Sequence, residues 1–160
     1  MLKMRALPNV PRWAVFAAHA VPLVTLPSGV WRVALGLGVP LAEDGVDVAY
    51  AVVLSAVVEG LALLTLGLVR GWGEVVPLPG GWRVPARGAV AVALLGAAGL
   101  LAGFGWSGYA VYAGFGDLSV GSPAQDVVFH LCYAPLLAWP LLLIAVTVAY
   151  HRRRRPAARP

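Results

Sequence analysis

Charge is what this chain has least of: 12% of its 160 residues are charged and 60% are hydrophobic, where a soluble domain carries about a quarter charged. That balance excludes a soluble globular fold, because too little polar surface is available to cover so much apolar material. Cysteine is nearly absent as well. Cys132 stands alone, which rules out an intrachain disulfide and a cysteine-paired zinc site, and inside an apolar run it reads as packing. Neither HExxH, GxSxG nor a phosphate-cradling Gly-Lys loop occurs. The net charge of +5 does not point to nucleic acid, since the basic residues flank apolar runs instead of covering a surface with aromatic stacking positions.

What is present is four long apolar stretches, each near the roughly 20 residues that cross a bilayer. They run from Trp13 to Pro40, Val46 to Val69, Ala89 to Phe115 and Val127 to Tyr150. The chain is therefore expected to be all-α, a single polytopic membrane domain over residues 1–160 built as a four-transmembrane-helix bundle, with a tail from His151. Pro27-Ser28-Gly29 predicts a break in the first span. Pro135 and Pro140 predict a bent fourth one. Lys3, Arg5 and Arg12 precede the first span as they would a secretory signal, but Trp13 to Ala17 falls short of a signal core of about 7–15 residues, so an uncleaved span is expected.

Lys and Arg are retained on the cytoplasmic side of a membrane. Placing the N-terminus, the loop from Arg70 to Gly88 and the C-terminus inside puts eleven of the twelve basic residues there, Arg32 being the twelfth. Glu43, Asp44, Asp47, Asp117 and Asp126 then all lie outside. The expected location is the plasma membrane, with both termini cytoplasmic. The Arg152–Arg155 run is expected to stop transfer and attract anionic lipid, and the loop between the second and third spans, rich in Pro and Gly with Trp72 and Trp82, to be a connector held at the membrane surface.

The polar residues inside spans are the candidates for chemistry, because each is expensive in lipid. Glu59 lies about 20 Å from the outer end of its span and Arg32 about 12 Å from the same end of the first, at 1.5 Å per residue. An inward-pointing arginine would roughly close that gap, so a Glu59–Arg32 pair fixing the first two helices is one expectation. A proton- or cation-handling Glu59 is a second, and a protonated Glu59 bonded to Ser55 a third. His19 and His130 raise a haem, but they sit roughly 16 Å apart along the normal of a core about 30 Å thick, so no cofactor is expected. His130 is instead assigned to an outer aromatic cluster with Trp106, Tyr109 and Tyr133. Gly99 and Gly103 form a small-xxx-small pair that admits another helix, within the bundle or from a partner. The outer acids are read as a solvated loop ahead of a cation site.

The runs "PSGVWRVALGLGVPL", "LGLVRGWGEVVP", "GGWRVP" and "LLAWPLLLIAVTVAYHRRRR" resemble uncharacterised four-helix integral membrane proteins of actinobacteria, over most of the chain and in the same order. The resemblance implies the four-span topology and assigns no activity or site. The function expected is a non-enzymatic accessory or structural membrane subunit, as a homo-oligomer or with a membrane partner. A small proton- or cation-coupled transporter using Glu59 is the alternative, and a lipid- or quinone-linked enzyme using Arg32 and His130 the third.

Overall fold

The computed structural model describes residues 10–70 and 85–154; the connector with Trp72 and Trp82 and the tail from Arg155 lie outside them. Helix α1 spans Arg12–Gly36 without a break. The interruption expected at Pro27 does not form, although Pro22 and Pro27 both lie inside the helix. Leaving the helix in apolar surroundings would strand a full turn of backbone donors and acceptors, a larger loss than the single bond each proline removes. The polar side chains of this stretch turn back onto the helix itself. Thr25 donates to the carbonyls of Val21 and Pro22, and Ser28 to that of Thr25 at 2.8 Å.

The helix ends instead at "GLGVP". Gly38 takes φ +89°, with its N–H bonded to the Leu35 carbonyl and that of Val39 to the Ala34 carbonyl, both at 3.0 Å. This is the Schellman arrangement, whose left-handed residue favours glycine. Helix α3, Ala86–Tyr112, stops the same way: Gly114 has φ +79°, and Phe115 N–H reaches the Ala110 carbonyl at 3.1 Å.

Helix α2, Val48–Leu64, begins where Asp47 accepts a hydrogen bond from Tyr50 N–H at 2.9 Å, and it tightens into a 3₁₀ turn over Thr65–Leu68. Helix α4, Pro123–Tyr133, starts in a capping box between Ser122 and Gln125. A 3₁₀ turn over Ala134–Leu137 then leads into α5, Ala138–Arg154. The expected bend of the fourth span is thus a change of helix type at Pro135. Pro140 needs no adjustment, since in the first turn of α5 its missing N–H has no partner to lose.

Four helical stretches, α1, α2 with its turn, α3, and α4 to α5, are long and apolar enough to cross a membrane. Their outward faces carry large apolar side chains, Phe16 and Leu95 being about three-quarters exposed, as expected where the solvent is lipid. The buried contacts use small residues. Ala18, Val21, Ala62, Ala97 and Val146 are all at most 1% exposed, which brings the backbones close and makes packing the main source of association.

The antiparallel α1–α2 pair has a legible register. A Cβ on Gly36 would lie 3.0 Å from Val48 Cα, and one on Gly29 would lie 3.7 Å from Ser55 Cβ. Seven residues separate the two contacts on each helix, two turns along a common seam. Helix α3 packs mainly on α5; only Ala97 of its side chains is buried, where it joins the core cluster of Val21, Ala62, Trp139 and Leu143.

Candidate functional site

The α1–α2 register fixes what the two intramembrane charges can do. Counting from the Gly29–Ser55 level, Glu59 stands level with Thr25, and Arg32 level with Val52. Seven residues, about 10 Å of axial rise, therefore separate Arg32 from Glu59. Side chains on a helix tilt toward its N-terminus, and in an antiparallel pair those directions oppose, so the two charges lean toward each other.

They do not meet. Arg32 Nε donates to Ser55 Oγ and its Nη1 to the Tyr133 hydroxyl, both at 3.3 Å, with the guanidinium carbon 5.8 Å from the Tyr133 ring centroid. Ser55 Oγ donates in turn to the Gly29 carbonyl at 3.4 Å. From the other side Glu59 Oε1 comes within 3.8 Å of the point a Gly29 Cβ would occupy. Both Glu59 Oε1 and Arg32 Nη2 are buried, and neither has a hydrogen-bond partner among the described residues.

The expected Glu59–Arg32 ion pair is thus replaced by an Arg32–Ser55 bond with Glu59 left short of it, because the helix register sets the charges two turns apart. The Ser55 bond considered for Glu59 is absent for the same reason: Ser55 is engaged by Arg32 and Gly29. Thr25, level with Glu59, has its hydroxyl committed to its own helix. Glu59 is eleven residues from Val48 and nine from Leu68, so it sits near the middle of a core about 30 Å thick.

The outer aromatic cluster divides into two. Trp31, Phe129 and Tyr133 stack edge-on and tilted, with centroids 4.4–5.5 Å apart, and His130 joins them through Phe129 at 5.4 Å. Trp106 and Tyr109 gather instead around Phe115 at 6.3 and 5.8 Å. The α3 cap folds Phe115 back onto its own helix, and α3 stands too far from α4 for the two sets to join. Trp31 ties α4 to α1 together with Arg32, whose Nη1 bonds the Tyr133 hydroxyl.

His19 and His130 sit at opposite ends of the bundle. His19 shares the end carrying Arg12, Arg70 and Arg87. Its Nδ1 donates to the Val15 carbonyl at 2.7 Å, and Nε2 lies 2.8 Å from Arg70 Nη2. Arginine can only donate, so the pair of contacts selects the Nδ1–H tautomer. His130 Nδ1 donates to the Asp126 carbonyl at 2.6 Å, at the end carrying the acids. Those acids are largely occupied with the loops: Asp117 and Asp126 accept from the N–H groups of Ser119 and Val120.

Between α3 and the second half of α2 lies an open groove of about 1040 Å³, lined by Leu64, Thr65, Gly96, Gly99, Gly103 and Trp139 among others. Gly99 and Gly103 would each accept a Cβ with nothing within 4 Å. Within the chain, the close helix approach expected of this pair does not occur. At 100° per residue Gly99 points about 200° away from Ala97, the position that packs inward.

The described residues therefore form an all-α bundle of four long apolar helices, the architecture of a four-span membrane protein. Comparison with family models, curated proteins and solved structures gives no match. The actinobacterial resemblance thus gains no family from them, and the class rests on the helices themselves.

Proposed function

We propose that this chain is an accessory or structural subunit of the plasma membrane, whose α3 docks against a membrane helix of a second copy. One observation carries the reading: α3 is held from the α5 side, while Gly99 and Gly103 open onto a groove that none of the described helices fills. Glycine costs about 1 kcal/mol against alanine in a helix, and its return in a membrane is close backbone approach. Two such positions on one open stretch, Gly99 and Gly103, favour a docked helix over acyl chains, which pack equally well on leucine. The subunit is oriented with Arg12, Arg70, Arg87 and Arg152–Arg154 in the cytoplasm, where the tail engages anionic headgroups at about 1 kcal/mol per basic residue.

In a Cys132→Ser background, Gly103→Cys should give a disulfide-linked dimer in native membranes under mild oxidation, while Phe16→Cys, on the exposed face of α1, should not. Gly99→Leu should abolish the dimer without changing the helix content. Monomeric migration of every variant would reject the second-copy assembly.

A further inference from the structure

We propose that α1 and α2 have two registers one helical turn apart, and that in the second, reached by sliding α2 toward the end that carries the acids, Glu59 pairs with Arg32. The observed register leaves both groups short. Among the described residues Glu59 Oε1 has no donor and Arg32 Nη2 no acceptor, and charges inside a membrane are expensive unless they pair. Their levels differ by seven residues, about 10 Å, and the side chains lean toward one another. One turn removes about 5.4 Å of that separation, which brings the carboxylate within reach of the guanidinium. One-turn ratchets of one packed element past another are a recurring form of two-state motion.

The seam permits the slide because it repeats. On α1 the buried positions Ala14, Ala18, Val21, Thr25 and Ser28 recur every three or four residues. On α2 Ala51, Ser55 and Ala62, with Thr65 beyond them, keep the same rhythm on either side of Glu59. Moving α2 by one such step sets Gly36 level with Ala51, Ser28 with Glu59 and Thr25 with Ala62, while Thr65 takes the place of Ala62 in the core cluster beside Val21. Small residues again meet small residues, so no large ridge has to be crossed.

Little else holds α2, which packs mainly on α1; Tyr133, the second partner of Arg32, belongs to α4 and stays in place. Two polar contacts latch the observed register: Arg32 Nε to Ser55 Oγ at 3.3 Å, and Arg70 Nη2 to His19 Nε2 at 2.8 Å. Exchange of the first for a charge pair favours the slide. Since α2 runs from the loop whose Glu43 N–H bonds Val120 to the end at Arg70, its movement links the two ends of the bundle, and a ligand that prefers one register shifts the population. The Arg32–Glu59 seam includes no residue of α3, so the slide and the assembly through α3 fail separately.

The test is pulsed electron spin resonance on the full chain in lipid nanodiscs, in a Cys132→Ser background and diluted with unlabelled chain so that each distance lies within one copy. Two pairs of exposed positions carry the labels, Val30→Cys with Leu64→Cys and Phe16→Cys with Val53→Cys. Sliding α2 moves Leu64 toward Val30 and Val53 away from Phe16, so each pair is expected to show a second population, shorter for the first pair and longer for the second, by up to about 5 Å. Ser55→Ala, which opens the Arg32 latch, should enrich that population. Arg32→Gln and Glu59→Gln should each remove it, and either variant alone suffices if the other fails to fold. A single distance for each pair in every variant, changes of the same sign in the two pairs, or a second population that persists without Arg32 or Glu59 would overturn the proposal.

Discussion

Arg32 and Glu59 approach the level of Gly29 and Ser55 from opposite directions along the α1–α2 seam, and only Arg32 reaches the serine. The cause is the close approach of Gly36 to Val48, which sets the slide of one helix along the other. A one-turn slide, about 5.4 Å, would bring the two charges close to contact, so the Gly36 contact is the feature that keeps the Glu59 carboxylate short of Arg32.

Gly36 is accordingly the least replaceable glycine of the pair. Its Cβ would meet Val48 Cα at 3.0 Å and Ala51 Cβ at 3.2 Å, one of them backbone, so Gly36→Ala must push α1 from α2. We expect a loss of about 1–3 kcal/mol, the usual range for overpacking. Gly105→Ala, with nothing within 4 Å, should be neutral or slightly stabilising. Thermal unfolding of both variants in the same detergent checks the contrast, and equal effects would remove the register argument.

The Arg32–Ser55 bond should register as energetic coupling. Ser55→Ala and Arg32→Gln each break it, and a double-mutant cycle between them is expected to return about 0.6 kcal/mol, the average for hydrogen bonds between membrane helices. A cycle between Ser55→Ala and Ser107→Ala is expected to return nothing, because Ser107 bonds its own helix at Gly103. Coupling energies near zero in the first cycle would show that the Arg32 contact does not hold in the membrane.

These relationships mark where the sequence stops being readable. Four spans are legible because a run of apolar residues from Val46 to Val69 has one stable environment. The capping at Asp47 and Ser122 follows from their own chemistry. Pro27 misleads because a proline interrupts a helix only where water can take up the freed backbone groups. The Glu59–Arg32 pairing fails because counting residues from each span's end assumes flush helix ends, whereas α1 stops at Gly36 and its position along α2 depends on a glycine contact between distant parts of the chain. The aromatic cluster splits for a related reason: whether α3 lies beside α4 is a matter of packing, and no local pattern around Trp106 or Tyr109 encodes it.

The end of α3 offers a local test. Gly114 at φ +79° lets Phe115 turn back and lie 5.8 Å from the Tyr109 ring. Gly114→Ala forces a side chain into the left-handed region, at a cost of about 1–2 kcal/mol. Trp106, 6.3 Å from Phe115, is the reporter: its fluorescence should change in Gly114→Ala when the other tryptophans are replaced by phenylalanine. An unchanged spectrum would mean that the cap does not organise the aromatic group.

The separation of charge between the two ends of the bundle predicts an orientation that can be read with a thiol reagent. Glu43, Asp44 and Asp47 lie with Asp117 and Asp126 at one end, joined where Glu43 N–H meets the Val120 carbonyl at 2.8 Å. Arg12, Arg70, Arg87 and Arg152–Arg154 lie at the other. Retention of arginine on the cytoplasmic side then predicts opposite accessibility for two exposed positions, Asp44 and Arg87. In a Cys132→Ser background, a membrane-impermeant maleimide added to intact cells should label Asp44→Cys and spare Arg87→Cys until the membrane is opened. Replacing Arg87 removes only one of several basic residues at its end, so the substitution should not itself invert the chain. Labelling of Arg87→Cys on intact cells would reverse the topology.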